Sequence, residues 1–161
     1  MRESNFLVRR MSPGDTDAVV ELWKGTVAYH AGIDARLEVR EGSEEEFRRF
    51  LTRIVSSRED VIILVAEVDG EVVGFLIGMV RERTPVFIRS IHGYITDIYV
   101  DPGFRRRGIG RRLVETAVEW FAARGLDHVR LQVAAANAAG IAFWKNLGFE
   151  DYFLELWKEI G

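Results

Sequence analysis

The chain has 161 residues, 48% of them hydrophobic, and no cysteine. That suffices for one domain with a full core and excludes a disulfide framework, a thiolate nucleophile and a cysteine metal site. A net charge of -3, no apolar run near the ~20 residues of a membrane span, and an amino terminus without an apolar centre argue against nucleic-acid binding, membrane insertion and export. The expectation is a single cytoplasmic domain.

In chain order, Phe6-Leu7-Val8-Arg9 reads as a short strand stopped by Ser12-Pro13-Gly14-Asp15. Asp15 or Thr16 is placed to cap a helix with Ala18, Val19, Leu22, Trp23 and Val27 on its apolar face. Ala28 to Gly42 has no clean period and reads as a loop. Ser43 and Glu46 have capping-box spacing before a second helix that buries Phe47, Phe50, Leu51, Ile54 and Val55. Val61 to Val68 and Glu71 to Val80 read as strands joined by a hairpin turn at Asp69-Gly70. Gly74 and Gly78 predict a bulge or a close backbone approach in the second strand.

A polar connection, Arg81 to His92, leads into an apolar strand, Tyr94 to Val100, which ends at Asp101-Pro102-Gly103. A helix with Leu113, Val114, Ala117, Val118 and Phe121 on one face closes at the C-cap glycine Gly125. His128 to Val133 reads as a strand, Ala138 to Leu147 as a short helix and Tyr152 to Lys158 as a closing strand. Trp23, Phe47, Phe50 and Trp120 fall at helical spacing and read as core. The series predicts an α/β (α+β) domain, a mixed sheet with helices on its faces.

Between the central strand and its helix lie Arg105, Arg106, Arg107, Gly108, Ile109, Gly110 and Arg111. A helix start offers unpaired N–H groups and partial positive charge, and glycines let an anion approach the backbone. The arginines add to this, so the segment suits a compact polyanion, although a charge run alone equally describes a solvated helix start. Two phosphate loops are excluded. Ile109 and Gly110 stand where a Walker A loop needs Lys and Ser or Thr, and Leu113 stands at the third glycine of a dinucleotide fingerprint.

Arg105-x-x-Gly108-x-Gly110 after a strand and Asp101-Pro102 resembles the acyl-CoA pyrophosphate loop of the GNAT-type N-acetyltransferase superfamily. Leu131-Gln132-Val133, Asn137 and the run Ile141 to Phe149 are similar to that family's next strand, its asparagine and its aromatic-to-Gly-Phe segment. The resemblance implies a GNAT fold, a mixed and mostly antiparallel sheet with splayed central strands and helices on both faces. It implies transfer of an acetyl group from acetyl-CoA to a primary amine of a small molecule or protein, with no metal. Ile98, Tyr99 and Val100 would hold the pantetheine and supply an oxyanion donor. Residues 105–111 would hold the pyrophosphate, and Asn137 the other side of the pantetheine. Many relatives dimerise through their last strands, and Tyr152, Phe153, Leu154 and Trp157 would allow a homodimer here.

The sequence departs from the family pattern at the chemistry. Trp144 lies at the cofactor-binding position where a tyrosine commonly protonates the leaving thiolate, and indole cannot do so. Thr96 and Gln132 occupy positions where relatives carry a glutamate base. Asp97 is the remaining carboxylate on the central strand, read either as anchor or base for the amine or as a structural aspartate; Tyr94 is a water-mediated proton relay or a buried aromatic. Strict alternation sets Thr96 and Asp97 on opposite faces unless a bulge intervenes. Tyr29, His30 and Asp34 lie where relatives wall the acceptor pocket, and an acid beside a tyrosine suits a cationic amine. His92 and His128 have no partner at metal-ligand spacing. The missing tyrosine and glutamates motivate a second reading, an acyl-CoA-binding sensor domain without catalysis.

Overall fold

The computed structural model describes residues 5–161. Its elements are β1 (Leu7–Arg10), α1 (Thr16–Ile33), α2 (Ser43–Ser57), β2 (Val61–Val68), β3 (Glu71–Glu82), β4 (Ile91–Val100), α3 (Ile109–Ala122), β5 (Val129–Arg130) and α4 (Ala138–Asn146). The strands form one sheet in the order β1-β2-β3-β4-β5, antiparallel except for the parallel β4–β5 pair.

Alternation along β2 sorts the core into two layers. Ile62, Leu64 and Ala66 pack with Leu113, Val114, Ala117 and Phe121 of α3 and with Trp144 of α4. Val61, Ile63 and Val65 face the other way, onto Val19, Val20 and Leu22 of α1 and Leu51 and Ile54 of α2. Each of the valines, leucines, isoleucines and Phe121 contributes about 1.5–3 kcal/mol by leaving water. The sheet is therefore sandwiched, with α1 and α2 on one face and α3 and α4 on the other.

The turn at Asp69 and Gly70 has φ of 49° and 85°, the positive pair that a tight hairpin needs. Next to Gly74 the bulge lies in β3 as expected, Val73 being extra where the register shifts between Ala66 and Glu67; opposite Gly78 it lies in β4 instead, the register shifting between Ile77 and Gly78. Gly125, at φ 76°, ends α3 with Leu126 N–H donating to Phe121 O. Trp23, Phe47 and Phe50 pack against the α1–α2 core, as expected of core residues, and Trp120 packs against the α3–α4 core.

Several boundaries differ from expectation. The stretch from Ala28 is no loop at first: α1 runs on to Ile33, where Asp34 N–H donates to His30 O and the Tyr29 hydroxyl reaches Asn137. The capping box does not form at Ser43 and Glu46, since Gly42 takes the N-cap, Ser43 donates to Arg40 O and Glu46 pairs with Arg40. It forms at Ser12 and Asp15 instead. The polar connection is shorter than Arg81 to His92, as β3 runs to Glu82 and β4 starts at Ile91. The strand expected over His128 to Val133 is confined to Val129 and Arg130, and Tyr152 to Lys158 form no strand. With so short a β5 there is no ladder for the last segment to extend. It is held instead by side chains: Arg83 donates to the Tyr152 hydroxyl at 3.3 Å, and Gln132 to Glu155 at 2.8 Å.

Candidate active site

β4 pairs with β5 only at Gly93 and Tyr94. From Ile95 to Val100 its β5-side edge has no strand partner; Arg105 Nε takes Val100 O, and the other backbone groups of that edge are open to a ligand. Asp101 then turns the chain, its side chain accepting from Gly103 N–H at 2.8 Å. The loop beyond carries two left-handed residues, Arg106 at φ 65° and Gly108 at φ 85°. Positive φ at a non-glycine residue costs about 1–3 kcal/mol and is kept where the turn serves a purpose.

Here the turn aims the start of α3. Gly108 is its N-cap, no side chain caps it, and the first helical bond is Arg112 N–H to Gly108 O. The N–H groups of Ile109, Gly110 and Arg111 are thus left over at the positive end of the helix, a ready anion site. A Cβ added at Gly108 meets no protein atom within 4 Å, so this glycine faces open space. Gly110 differs: a Cβ there would stand 3.2 Å from Phe143, which fixes α4 against the loop. The residues fit a CoA pyrophosphate on donor chemistry and on room.

The arginine side chains do not all surround this loop. Arg105 folds back toward α1: its Nε donates to Val100 O at 2.8 Å, and its guanidinium lies 5.2 Å from the Tyr99 ring and 5.9 Å from Tyr29. Arg107 reaches Gly103 O. Arg106 and Arg111 are exposed.

The other face of β4 is built by the bulge. Ile77 pairs with Asp97 but Gly78 with Ile95, leaving Thr96 as the extra residue, its hydroxyl donating to Ile77 O. Asp97 and Tyr99 therefore share the α1 face with Ile77 and Phe75, and Tyr94 shares it through Met79. Burial pushes the Asp97 carboxyl up, against the Thr96 hydroxyl and the nearby His30 ring, which pull it down. A carboxyl so held takes a proton more readily than a surface one. Tyr29 donates to Asn137 Oδ1 at 3.1 Å, tying α1 to α4 across the gap.

Asn137 is buried, and the same Oδ1 accepts from Gly140 N–H at 2.9 Å as the cap of α4. Trp144 is buried in the α3–α4 core, edge-on to Phe143 and Phe149. Asp34 is bound by Arg36 through its backbone N–H and guanidinium, and that guanidinium holds its carboxyl down to about 2. The acid expected to greet a cationic amine is paired with Arg36 instead.

The structure joins Tyr94, Asp97, Tyr99, Tyr29 and His30 on one side of β4 and the 105–111 loop at its end. The sequence reading missed Arg81 and Arg130, which flank Tyr94, and Phe143 behind Gly110. Arg130 lies on a two-residue strand, along which alternation is not visible, and Arg81 lies beyond Val80, where the expected second strand ended. A depression of about 460 Å³ lined by Ile88, Ile91, Arg124 and Asp127 lies at the opposite end of β4 from this loop.

The model of the acetyltransferase (GNAT) family matches residues 28–149. The chain belongs to the GNAT family. An uncharacterized N-acetyltransferase of Methanocaldococcus jannaschii is 30% identical over 152 residues, covering 91% of this chain and 61% of that protein. The chain spans less than half of two further curated relatives. Among solved structures, a tetramutant of a Bacillus halodurans protein superimposes with TM-score 0.85 at 19% identity, over 96% of this chain and 99% of the other. The aminoglycoside N-acetyltransferase AAC(6')-Iy in complex with CoA does so with TM-score 0.77 at 18% identity, over 99% and 97%. These likenesses establish the GNAT fold, with its mixed sheet and helices on both faces.

Proposed function

We propose that this GNAT domain transfers the acetyl group of acetyl-CoA directly to a primary amine. The observation that carries the reading is the junction of the unpaired β4 edge with the left-handed turn at Arg106 and Gly108, which leaves the first amides of α3 free. The CoA complex of the aminoglycoside N-acetyltransferase neighbour supports it.

In this account the amides of residues 109–111 bind the pyrophosphate, assisted by Arg106, Arg107 and Arg111. The open edge of Ile98, Tyr99 and Val100 takes the pantetheine, with Asn137 across the gap, and a backbone N–H there stabilises the oxyanion. Trp144 packs behind this channel rather than in it. Arg105 braces Val100, Tyr29 and Tyr99 instead of the phosphates.

An alkyl amine with a pKa near ~10.4 is neutral in only about one molecule in a few thousand at pH 7. Asp97 on the α1 face accepts the proton that the attacking nitrogen loses, with Tyr94 as the route outward. The N–C bond forms, the C–S bond breaks, and the thiolate leaves. A thiol pKa near ~8.5 lets it depart without the missing tyrosine, and water returns its proton, at a cost of at most ~10²–10⁴ in rate. Tyr29 and His30 of α1 wall the acceptor side.

The reading includes a homodimer. Six apolar side chains of the last segment, Tyr152, Phe153, Leu154, Leu156, Trp157 and Ile160, are between 66% and 87% exposed. At ~150–250 Å² for each of the three aromatics and less for the three aliphatics, they offer an area on the order of the about 800 Å² per partner of a stable interface. A second copy is the occupant that covers this surface on both sides at once. Sedimentation that returns a monomer at micromolar concentration removes this part.

Thiol release from acetyl-CoA with pooled primary amines tests the activity. Release that depends on the amine supports it; acetyl-CoA binding with no release from any amine leaves the sensor reading in its place.

A further inference from the structure

The α1 face of the sheet carries positive charge that the acetyl-transfer account does not use. Arg81 pairs with His92 and Arg130 pairs with Tyr94, so both arginines share the face that holds Tyr94 and Asp97. The Arg81 guanidinium lies 3.7 Å from the centre of the Tyr94 ring, and that of Arg130 lies 5.0 Å from the Tyr152 ring. Among the described residues neither has a carboxylate within ion-pair distance, whereas Arg9, Arg36, Arg48 and Arg58 all do.

Nearby acids are engaged elsewhere. Asp34 is held by Arg36, Asp127 by His128 and Arg89, and Glu155 by Gln132. Glu82 follows Arg81 on β3 and faces the other side. The unbalanced charge is felt locally: after burial, Arg130 and Arg81 are among the groups that push the buried His92 ring toward its neutral form. Stacking on an aromatic occupies the flat face of a guanidinium and leaves its edge of N–H donors free for an anion.

We propose that Arg81 and Arg130 bind a carboxylate or phosphate monoester carried by the acceptor, so that the substrate is an amine that also bears an anion. The inference rests on the acetyltransferase reading, in which Asp97 meets the amino end. Two regular steps and one bulge separate Tyr94 from Asp97, about 7 Å along the strand. Amine and anion on one acceptor are then separated by roughly four to seven bonds, the span of a short ω-amino acid, a phosphorylated amino alcohol or a peptide amino terminus followed by an acidic residue.

Matched acceptors test this. Thiol release, and separately calorimetric binding in the presence of CoA, are measured for 4-aminobutyrate and O-phosphoethanolamine against butylamine and putrescine, and for Ala-Glu against Ala-Gln peptides with amidated carboxyl termini. The anionic member is expected to be favoured by roughly 10-fold or more, and the carboxylate and phosphate arms tell which anion is read. Arg81→Met, on an exposed side chain, and Arg130→Met each lower that ratio through KM, the double variant brings it near one, and Arg81→Lys restores part of it. Acetyl-CoA affinity reports that the variants are folded. Equal use of anionic and neutral acceptors, or a ratio indifferent to both substitutions, overturns the proposal and leaves acetyl transfer standing. Arginine-dependent binding of anionic members with no thiol release from any acceptor keeps the anion site and removes the acetyltransferase reading. Neither discrimination nor turnover overturns both.

Discussion

Tyr94 and Asp97 lie on the same face of β4 although their spacing is odd, because Thr96 is looped out of the ladder with β3. Strict alternation would put one of them among the α3 side chains. The bulge therefore gathers a phenol and a carboxyl beside α1, on the side away from the pyrophosphate loop.

Asp97→Asn tests the role of that carboxyl. If it accepts the amine proton, kcat/KM falls by roughly 10²–10⁴ with acetyl-CoA affinity kept. Its raised pKa places the acid limb of the wild-type rate above the ordinary carboxylate range, with activity rising as pH rises through the folded value. The sign for stability is opposite. The folded protein holds this proton more tightly than the unfolded chain, so stability declines as pH rises from about 4 through the folded value, and Asp97→Asn removes the decline. An unchanged rate profile with altered stability assigns Asp97 to structure alone.

Gly25→Ala tests the packing that aligns the acceptor side. A Cβ at Gly25 would stand 2.5 Å from the Tyr99 hydroxyl oxygen. Tyr99 must then swing away, at a cost of about 1–3 kcal/mol, and the Arg105 guanidinium loses its stack. Thermal unfolding should show the loss, with KM for the amine rising more than that for acetyl-CoA. A neutral effect on both would show that α1 shifts freely.

The strand-loop-helix junction from Tyr94 to Leu113 was legible in the sequence because its signals are local: an apolar run, a proline turn and glycines. Gly74 announced the β3 bulge beside it, at Val73, but the irregularity opposite Gly78 loops out Thr96 of β4, which no local signal marks, since register is a relation between two strands. The end of α1 was not legible, because Tyr29, His30 and Gly32 carry weak helical preference and the tie of Tyr29 to Asn137 is a contact with a distant part of the chain. The closing strand failed on context. Tyr152 to Trp157 have strand-forming residues, yet an edge strand needs a ladder, and β5 offers two residues. Asp34 was a plausible cation site until its neighbour Arg36 was seen to hold it.

Asp15→Asn tests the clamp that fixes α1 to the sheet edge. Arg9 grips Asp15 at 2.7 and 2.9 Å and also reaches Glu67, and this guanidinium, with Ser12, holds the Asp15 carboxyl down to about 2. A lowered folded pKa stabilises above the unfolded value of about 4 and is lost as pH falls through about 2. The variant should lose about 2 kcal/mol at neutral pH and show a flatter acid limb in denaturant titrations. An equally steep limb would place the acid sensitivity elsewhere.

The most direct test of the central claim is a calorimetric titration of acetyl-CoA into the wild-type protein and into Gly108→Asp. The substitution adds a carboxylate in front of the free α3 amides at φ 85°, where a side chain costs roughly 1 kcal/mol of backbone strain but meets no protein atom. The account predicts micromolar-range binding by the wild type, on the order of -8 kcal/mol, and its loss by at least ~10²-fold in a variant that still unfolds cooperatively. Equal affinity in the folded variant, or no binding by the wild type, would contradict the assignment of the loop and the function built on it.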